Sequence, residues 1–239
     1  MGYLIFDSDI RTDGIGVVIS GPAVYNAPAR SYEMIQIPGR SGDIALDMHR
    51  IENIEIAYPA FITGNLKERA ERLRNGLTSR IGYKRLWDSY NPEEFRLAVY
   101  QGGIDFDTTP GNRAAYFDIV FNCKPQRFLL SGENEQTFTA DGDITNPTAY
   151  PAAPLLAITG AGTVGIGGHT IDITGPTNRV TYIDCDVMDA WYISGGAKVP
   201  NNSNITYSGD EIPTIPAGTA AITMDGPSRV KITPRWWKL

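Results

Sequence analysis

The chain has 239 residues, enough for one large or two modest domains that each bury a core. A formal net charge of −6 argues against a protein that coats nucleic acid, because such affinity comes from Lys and Arg displacing counterions along the phosphates. Leu is sparse, while Thr, Ile and Tyr are plentiful beside 25 Gly and 16 Pro, a mixture that favours strands joined by punctuated turns and predicts a mainly β fold.

The amino terminus, Met-Gly-Tyr-Leu-Ile-Phe-Asp, carries no basic n-region, and its apolar run is too short for a signal peptide or a membrane span. Phe6 also breaks the myristoylation pattern. No membrane insertion is expected. YLIF (residues 3–6) and GVVIS (16–20) read as short strands. Between them, DSDIRTDG resembles a calcium loop only superficially: counted from Asp7, the fifth place is Arg11 and the closing Glu is absent. QIPGRSGDIAL (36–46) contains a glycine-flanked turn that can project from a sheet. RIENIEIAY (50–58) then places Ile54, Ile56 and Tyr58 on one face, the pattern of a half-buried strand.

One helix is predicted. Asn65 with Glu68 three residues later reads as a capping box, Leu66, Ala70, Leu73 and Leu77 form an apolar stripe, and Gly82 ends the element. Lys67–Glu71 and Glu68–Arg72 are spaced to pair on the wet side. Arg69, Arg72 and Arg74 could form a phosphate patch, but interleaved glutamates favour a solvated face. EFRLAVY (94–100) and AAYFDIVFNCKP (114–125) follow as strands, the latter with Phe117, Ile119, Phe121 and Cys123 alternating against Tyr116, Asp118, Val120 and Asn122.

From about Leu130 to Pro154 the chain turns polar and is broken by Pro147, Pro151 and Pro154, which suits a junction between domains at 1–133 and 134–239. Residues 1–130 hold 15 basic against 16 acidic side chains and residues 131–239 hold 6 against 11, so the acidity lies mainly in the second half. That half reads as short strands with frequent turns and no helix, the signature of a β-sandwich. GAGTVGIGGHTIDITG (160–175) includes a G-x-G-x-x-G at Gly160, Gly162 and Gly165. A dinucleotide loop requires a helix after the third glycine to supply free N–H groups to the pyrophosphate. Here a paired-glycine turn and strict alternation follow, so the glycines shape a hairpin and no nucleotide cofactor is expected.

Candidate reactive groups are few. Asp184 and Asp186 share a strand face with Tyr182, as a general acid and base would, yet no His, Lys or metal motif stands beside them; a calcium site using Asp184, Asp186 or Asp189 lacks a defining spacing. His49 and His169 are the only histidines, no Cys/His spacing fits zinc, and no G-x-S-x-G elbow occurs. Cys123 and Cys185 sit on apolar sides of strands and read as buried free thiols. Asn201 and Asn204 match glycosylation sequons without a secretory context. Neither a catalytic constellation nor a metal or cofactor site emerges. Trp191, Tyr192, Trp236 and Trp237 have two readings: packing, with Trp236 inside beside Val230 and Ile232 and Trp237 outside, or saccharide stacking through Trp191 and Trp237.

Several motifs, taken in order, resemble those of distal tail proteins of long-tailed, non-contractile bacteriophages. These are QIPGRSGDIAL, with Ser41 where that family usually has Asp; YKRLWDSYNPEEFRLAVY (83–100); FDIVFNCKPQRF (117–128); ITNPTAYPAAPLLAITG (144–160); VTYIDCDVMDAWY (180–192); GDEIPTIPAG (209–218); and the ending VKITPRWWKL. After IPAG the chain departs from the family with Thr219-Ala220-Ala221. The resemblance implies an amino-terminal, β-sandwich-like ring domain with one α-helix and a carboxy-terminal, galectin-like or carbohydrate-module-like sandwich. It further implies six copies in a hub at the virion tail tip, made in the host cytoplasm. Such a hub joins the tail tube protein to the tail-tip or baseplate proteins around a channel for genomic DNA, which passes without specific binding. Host cell-wall saccharide is a further candidate partner, for the second domain. A closed ring needs two different complementary surfaces on each subunit. Arg40 and Asp43, on the projecting turn, are candidates for one of them, or else for a pair bracing the turn internally.

Overall fold

The computed structural model describes residues 2–21 and 26–239; Met1, the first residue of the amino-terminal stretch read above, and residues 22–25 lie outside that description. The chain is mainly β and separates into two compact units, one running to Arg127 and including Leu239, the other spanning Phe128–Lys238. The division falls within the long strand Ala114–Leu129, a few residues ahead of the junction read from composition.

In the first unit one sheet runs in the order Ile10–Arg11, Leu4–Phe6, Lys84–Asp88, Glu94–Tyr100, Ala114–Leu129, Ile54–Thr63 and Val17–Ile19, with the short strand Asp107–Thr108 also paired to Ala114–Leu129. Gly2 and Ile19 then exchange backbone hydrogen bonds of 3.0 Å in both directions, which joins the last strand of that path to the residues just ahead of Leu4–Phe6 and closes the sheet on itself. One rolled sheet thus supplies both walls of a core that a sandwich takes from two. Alternation explains which side chains enter it: Ile54, Ile56, Tyr58, Ala60 and Ile62 from one strand meet Phe117, Ile119, Phe121 and Cys123 from its antiparallel neighbour, all buried. Burying each of the larger side chains contributes about 1.5–3 kcal/mol.

The expected helix forms over Leu66–Thr78 and lays Leu73 and Leu77 into this core, with Leu66 and Ala70 packed beside them. Its ends differ from expectation. The Asn65 side chain donates to Glu68 Oε2 at 2.6 Å instead of bonding backbone N–H groups, so no capping box forms. The helix stops at Thr78 ahead of Gly82, after Thr78 Oγ1 and Ser79 Oγ donate to the carbonyls of Arg74 and Gly76. The Lys67–Glu71 and Glu68–Arg72 pairs do not close among the described residues, and Arg69, grouped above with Arg72 and Arg74, turns back to donate to the Thr63 carbonyl at 2.6 Å.

The second unit is a sandwich of a six-stranded and a five-stranded antiparallel sheet enclosing Ile144, Leu156, Ile158, Val164, Ile166, Ile171, Ile183, Ile222, Val230, Ile232 and Trp236. The polar stretch read as a junction supplies two of its strands, Gln136–Phe138 and Gly142–Asn146, each at a sheet edge. Edge strands are half wet, which is why their composition resembles a loop. Gly162 and Gly165 of the glycine motif lie in the hairpin Gly162–Ile166 and His169–Ile173, turned by Gly167 and Gly168, and Gly160 lies just ahead of it. Gly162 has φ +129°, and a Cβ there would fall 2.1 Å from the Asp225 carbonyl oxygen. Close backbone approach in a sheet, with no helix behind it, accounts for that glycine.

Candidate interaction surface

Among the described residues the strands Arg30–Ile35 and Ile44–Ile51 pair only with each other and form an arm. Seven large apolar side chains on it stay in water: Tyr32, Met34, Ile35, Ile37, Ile44, Leu46 and Met48, each between 38% and 58% exposed. Directly opposed residues share a face, so Tyr32, Met34, Ala45 and Asp47 line one side while Glu33, Ile35, Ile44 and Leu46 line the other. None of the first core comes from this arm. A lone two-stranded hairpin is marginal in water, and an apolar one is a surface that expects a partner.

Its base is braced by charge. Arg30 Nε donates to Asp47 Oδ2 at 3.0 Å, with a further bond from the same guanidinium, and the His49 N–H donates to Asp47 Oδ1 at 2.9 Å while His49 sits at φ +53°. The Arg30 guanidinium, helped by that N–H, holds the Asp47 carboxyl below the usual carboxylate range. At the tip, the Arg40 N–H donates to the Ile37 carbonyl at 3.1 Å across Pro38-Gly39, with Gly39 at φ +82°, the arrangement of a turn with Pro second and Gly third.

Arg40 and Asp43 both lie on this tip and are exposed. Among the described residues neither makes an ion pair, so the internal brace considered for them is absent. The tip is legible in the sequence as a glycine-flanked turn; the arm behind it is not. Alternation in Ser31–Ile37 and Ile44–Ile51 on either side of the Pro-Gly turn was the signal that could have found it.

The second unit holds the tryptophans. Trp236 is buried as expected, 3% exposed. Trp237 is half-buried: it stacks on Tyr150 at 4.6 Å between centroids, and its Nε1 donates to the Pro151 carbonyl at 2.9 Å, so one ring face and its polar atom are occupied by packing. Trp191 pairs in register with Tyr182 on the outer face of the six-stranded sheet; the rings lie 5.7 Å apart and 12° from parallel, with Lys198 Nζ 3.7 Å above the indole centroid. Trp191 and Trp237 therefore have different surroundings, and Tyr182, which sequence alone left as a strand residue, is the aromatic that accompanies Trp191.

The aspartates considered for acid–base chemistry do not form a pair. The strand ends at Asp184, Asp186 lies in the following turn, and Asp184 receives two bonds from Arg235 at 2.6 and 2.9 Å. Burial pushes the Asp184 carboxyl up, but the Arg235 guanidinium and two backbone N–H groups outweigh it and hold the group below its ordinary value. Asp189, the third acid of that calcium reading, is engaged by Lys198 at 3.0 Å and Asn202 at 3.1 Å. Among the described residues no group of three or more His, Cys, Asp or Glu could hold a metal ion. Burial pushes both cysteine thiols, free and buried, up to about 12. Asn201, a formal sequon, is fully buried against Thr181, where no glycan would fit. Among the described residues no helix is long and apolar enough to cross a membrane.

No protein-family model and no curated protein matches the chain. Its fold does have solved counterparts, among them a phage hub protein and a phage baseplate, and the chain has the fold of that hub protein. The similar structures include SPP1 Dit, described as a paradigm of the hub adsorption apparatus in phages infecting Gram-positive hosts, with a TM-score of 0.76 at 13% identity over 100% of both chains. The phage p2 baseplate in its activated conformation is also similar, with strontium (TM-score 0.53, 12% identity) and with calcium (0.54, 11%), covering 97% of each chain.

Proposed function

We propose that this protein is a structural component of the phage virion, a distal tail hub that joins the tail tube to the tail tip or baseplate. The observation that carries this reading is the agreement of fold along the whole of both chains with a protein described as a hub. It is supported by the apolar arm, which has the character of an assembly element and no role in its own core. In this reading copies of the chain, six by resemblance, close into a ring by heterologous contacts, and Arg40 and Asp43 at the arm tip form part of one contact. Acidic and basic charge nearly balance in the first unit, so a channel lined by it would let the genome pass without holding the phosphate backbone. Purified protein imaged by electron microscopy and measured by light scattering should give closed rings of one size. A species that stays monomeric at high concentration, and forms no ring when tail-tube or tip proteins are added, would overturn the assignment.

A second reading concerns the carboxy-terminal unit. Tyr182 and Trp191 present two nearly parallel, stacked rings on an outer sheet face, with Lys198 over the indole and Asp189 paired to that lysine, aromatic and polar groups of the kind that contact a sugar ring. Trp237, held by Tyr150, has less to offer it. Titrating host cell-wall saccharide into the protein tests this; saturable binding lost in Trp191→Ala supports it, and no saturable binding rejects it.

A further inference from the structure

The first unit carries a groove of about 390 Å³ beside the start of the helix, with Ile62, Leu66, Ala70, Phe106 and Ala115 as its apolar floor and Lys67, Thr108 and Asn112 among its polar rim. We infer that this groove receives the arm of a second copy of the chain, through the arm face made by Glu33, Ile35, Ile44 and Leu46. This pairing rests on the ring reading above and gives it two surfaces that meet.

Chemistry matches the two sides. Ile35, Ile44 and Leu46 are branched aliphatics, 38% to 47% exposed, that gain by leaving water, and the groove offers aliphatic and aromatic walls of the same kind. Glu33 borders the aliphatic face and Lys67 borders the groove; among the described residues neither has an ion-pair partner in its own chain. Seating the face in the groove brings an acid to a base at the rim, which fixes orientation more than it adds affinity. Arm and groove are different surfaces, so the contact is heterologous and each copy can give its arm to one neighbour while receiving another, as a closed ring requires.

The test uses the full chain and two single-cysteine variants, Leu46→Cys on the arm and Thr108→Cys at the groove. Cys123 and Cys185 are buried with thiols raised to about 12, so they add little background. Under mild oxidation, a covalent dimer that forms when the two variants are mixed, and in neither alone, is expected. Dimers of Leu46→Cys with itself, and none from the mixture, would overturn the groove while leaving the ring in place; absence of any species above monomer in the unmodified protein would instead sink the ring reading. Charge reversal gives an independent readout that does not disturb the core. Glu33→Lys or Lys67→Glu alone should raise the concentration at which rings form by roughly threefold or more, and the double reversal should restore it. Additive losses in the double variant would overturn the pairing.

Discussion

Asp184 and Arg235 show how a pair of residues that suggests chemistry in the sequence becomes structural in three dimensions. The carboxylate is mostly buried and doubly bonded to the guanidinium, so its pKa lies below that of the unfolded chain. For a carboxyl depressed in the folded state, the stabilisation is fully present above the unfolded pKa and is lost as pH falls through the folded one. Asp184→Asn should therefore cost about 1.5–3 kcal/mol at neutral pH, and much less at the acid end, which urea titrations at pH 7 and pH 3 would read as a shrinking difference from the parent. Gly162 makes a prediction of another kind. Its positive φ, and an Asp225 carbonyl oxygen only 2.1 Å from where a β-carbon would sit, leave no room for a side chain, so Gly162→Ala should lower the melting temperature by several degrees although alanine is usually benign in a strand. The cysteines should resist a thiol reagent at pH 8 in the native protein and react fully in denaturant, since burial keeps both thiols protonated.

At the scale of elements, the arm and the helix behave in opposite ways. Leu73 on the helix is fully buried in the first core, and Leu73→Ala should destabilise the protein by about 2–5 kcal/mol through the cavity it leaves. The arm gives nothing to that core. Replacing residues 33–46 by a two-residue turn should leave thermal stability nearly unchanged while abolishing ring formation, an uncoupling that calorimetry and light scattering on one sample would detect. Retained rings would show that assembly runs through another surface. Much of the helix was legible from its apolar stripe, because a 3.6-residue period reports directly on a buried face. Its ends were not, since Asn65 and Glu68 bond each other and the hydroxyls of Thr78 and Ser79 take the last carbonyls, choices that composition does not rank. The arm was missed for a related reason. A hairpin that buries neither face within its own chain alternates like any strand, and nothing local marks its apolar residues as exposed.

For the whole molecule, the near balance of charge in residues 1–130 and the acidity of residues 131–239 predict weak contact with nucleic acid. Genomic-length DNA should fail to shift in a gel at physiological salt, and any retardation seen at very low salt should vanish steeply as salt rises. What the sequence determined by itself was the β character, the two stretches of strands, the helix, the buried thiols and the order of motifs that resembles tail hub proteins. Each of these is written in local periodicity or in the order of short segments, which a chain carries before it folds. Tertiary structure alone decided that the first sheet closes through Gly2 and Ile19, that Asp184 belongs to Arg235, and that an apolar arm and an apolar groove are left without partners among the described residues. Those outcomes depend on contacts between residues far apart in sequence and on which faces remain wet once every internal contact is made, and neither is a local property of the chain.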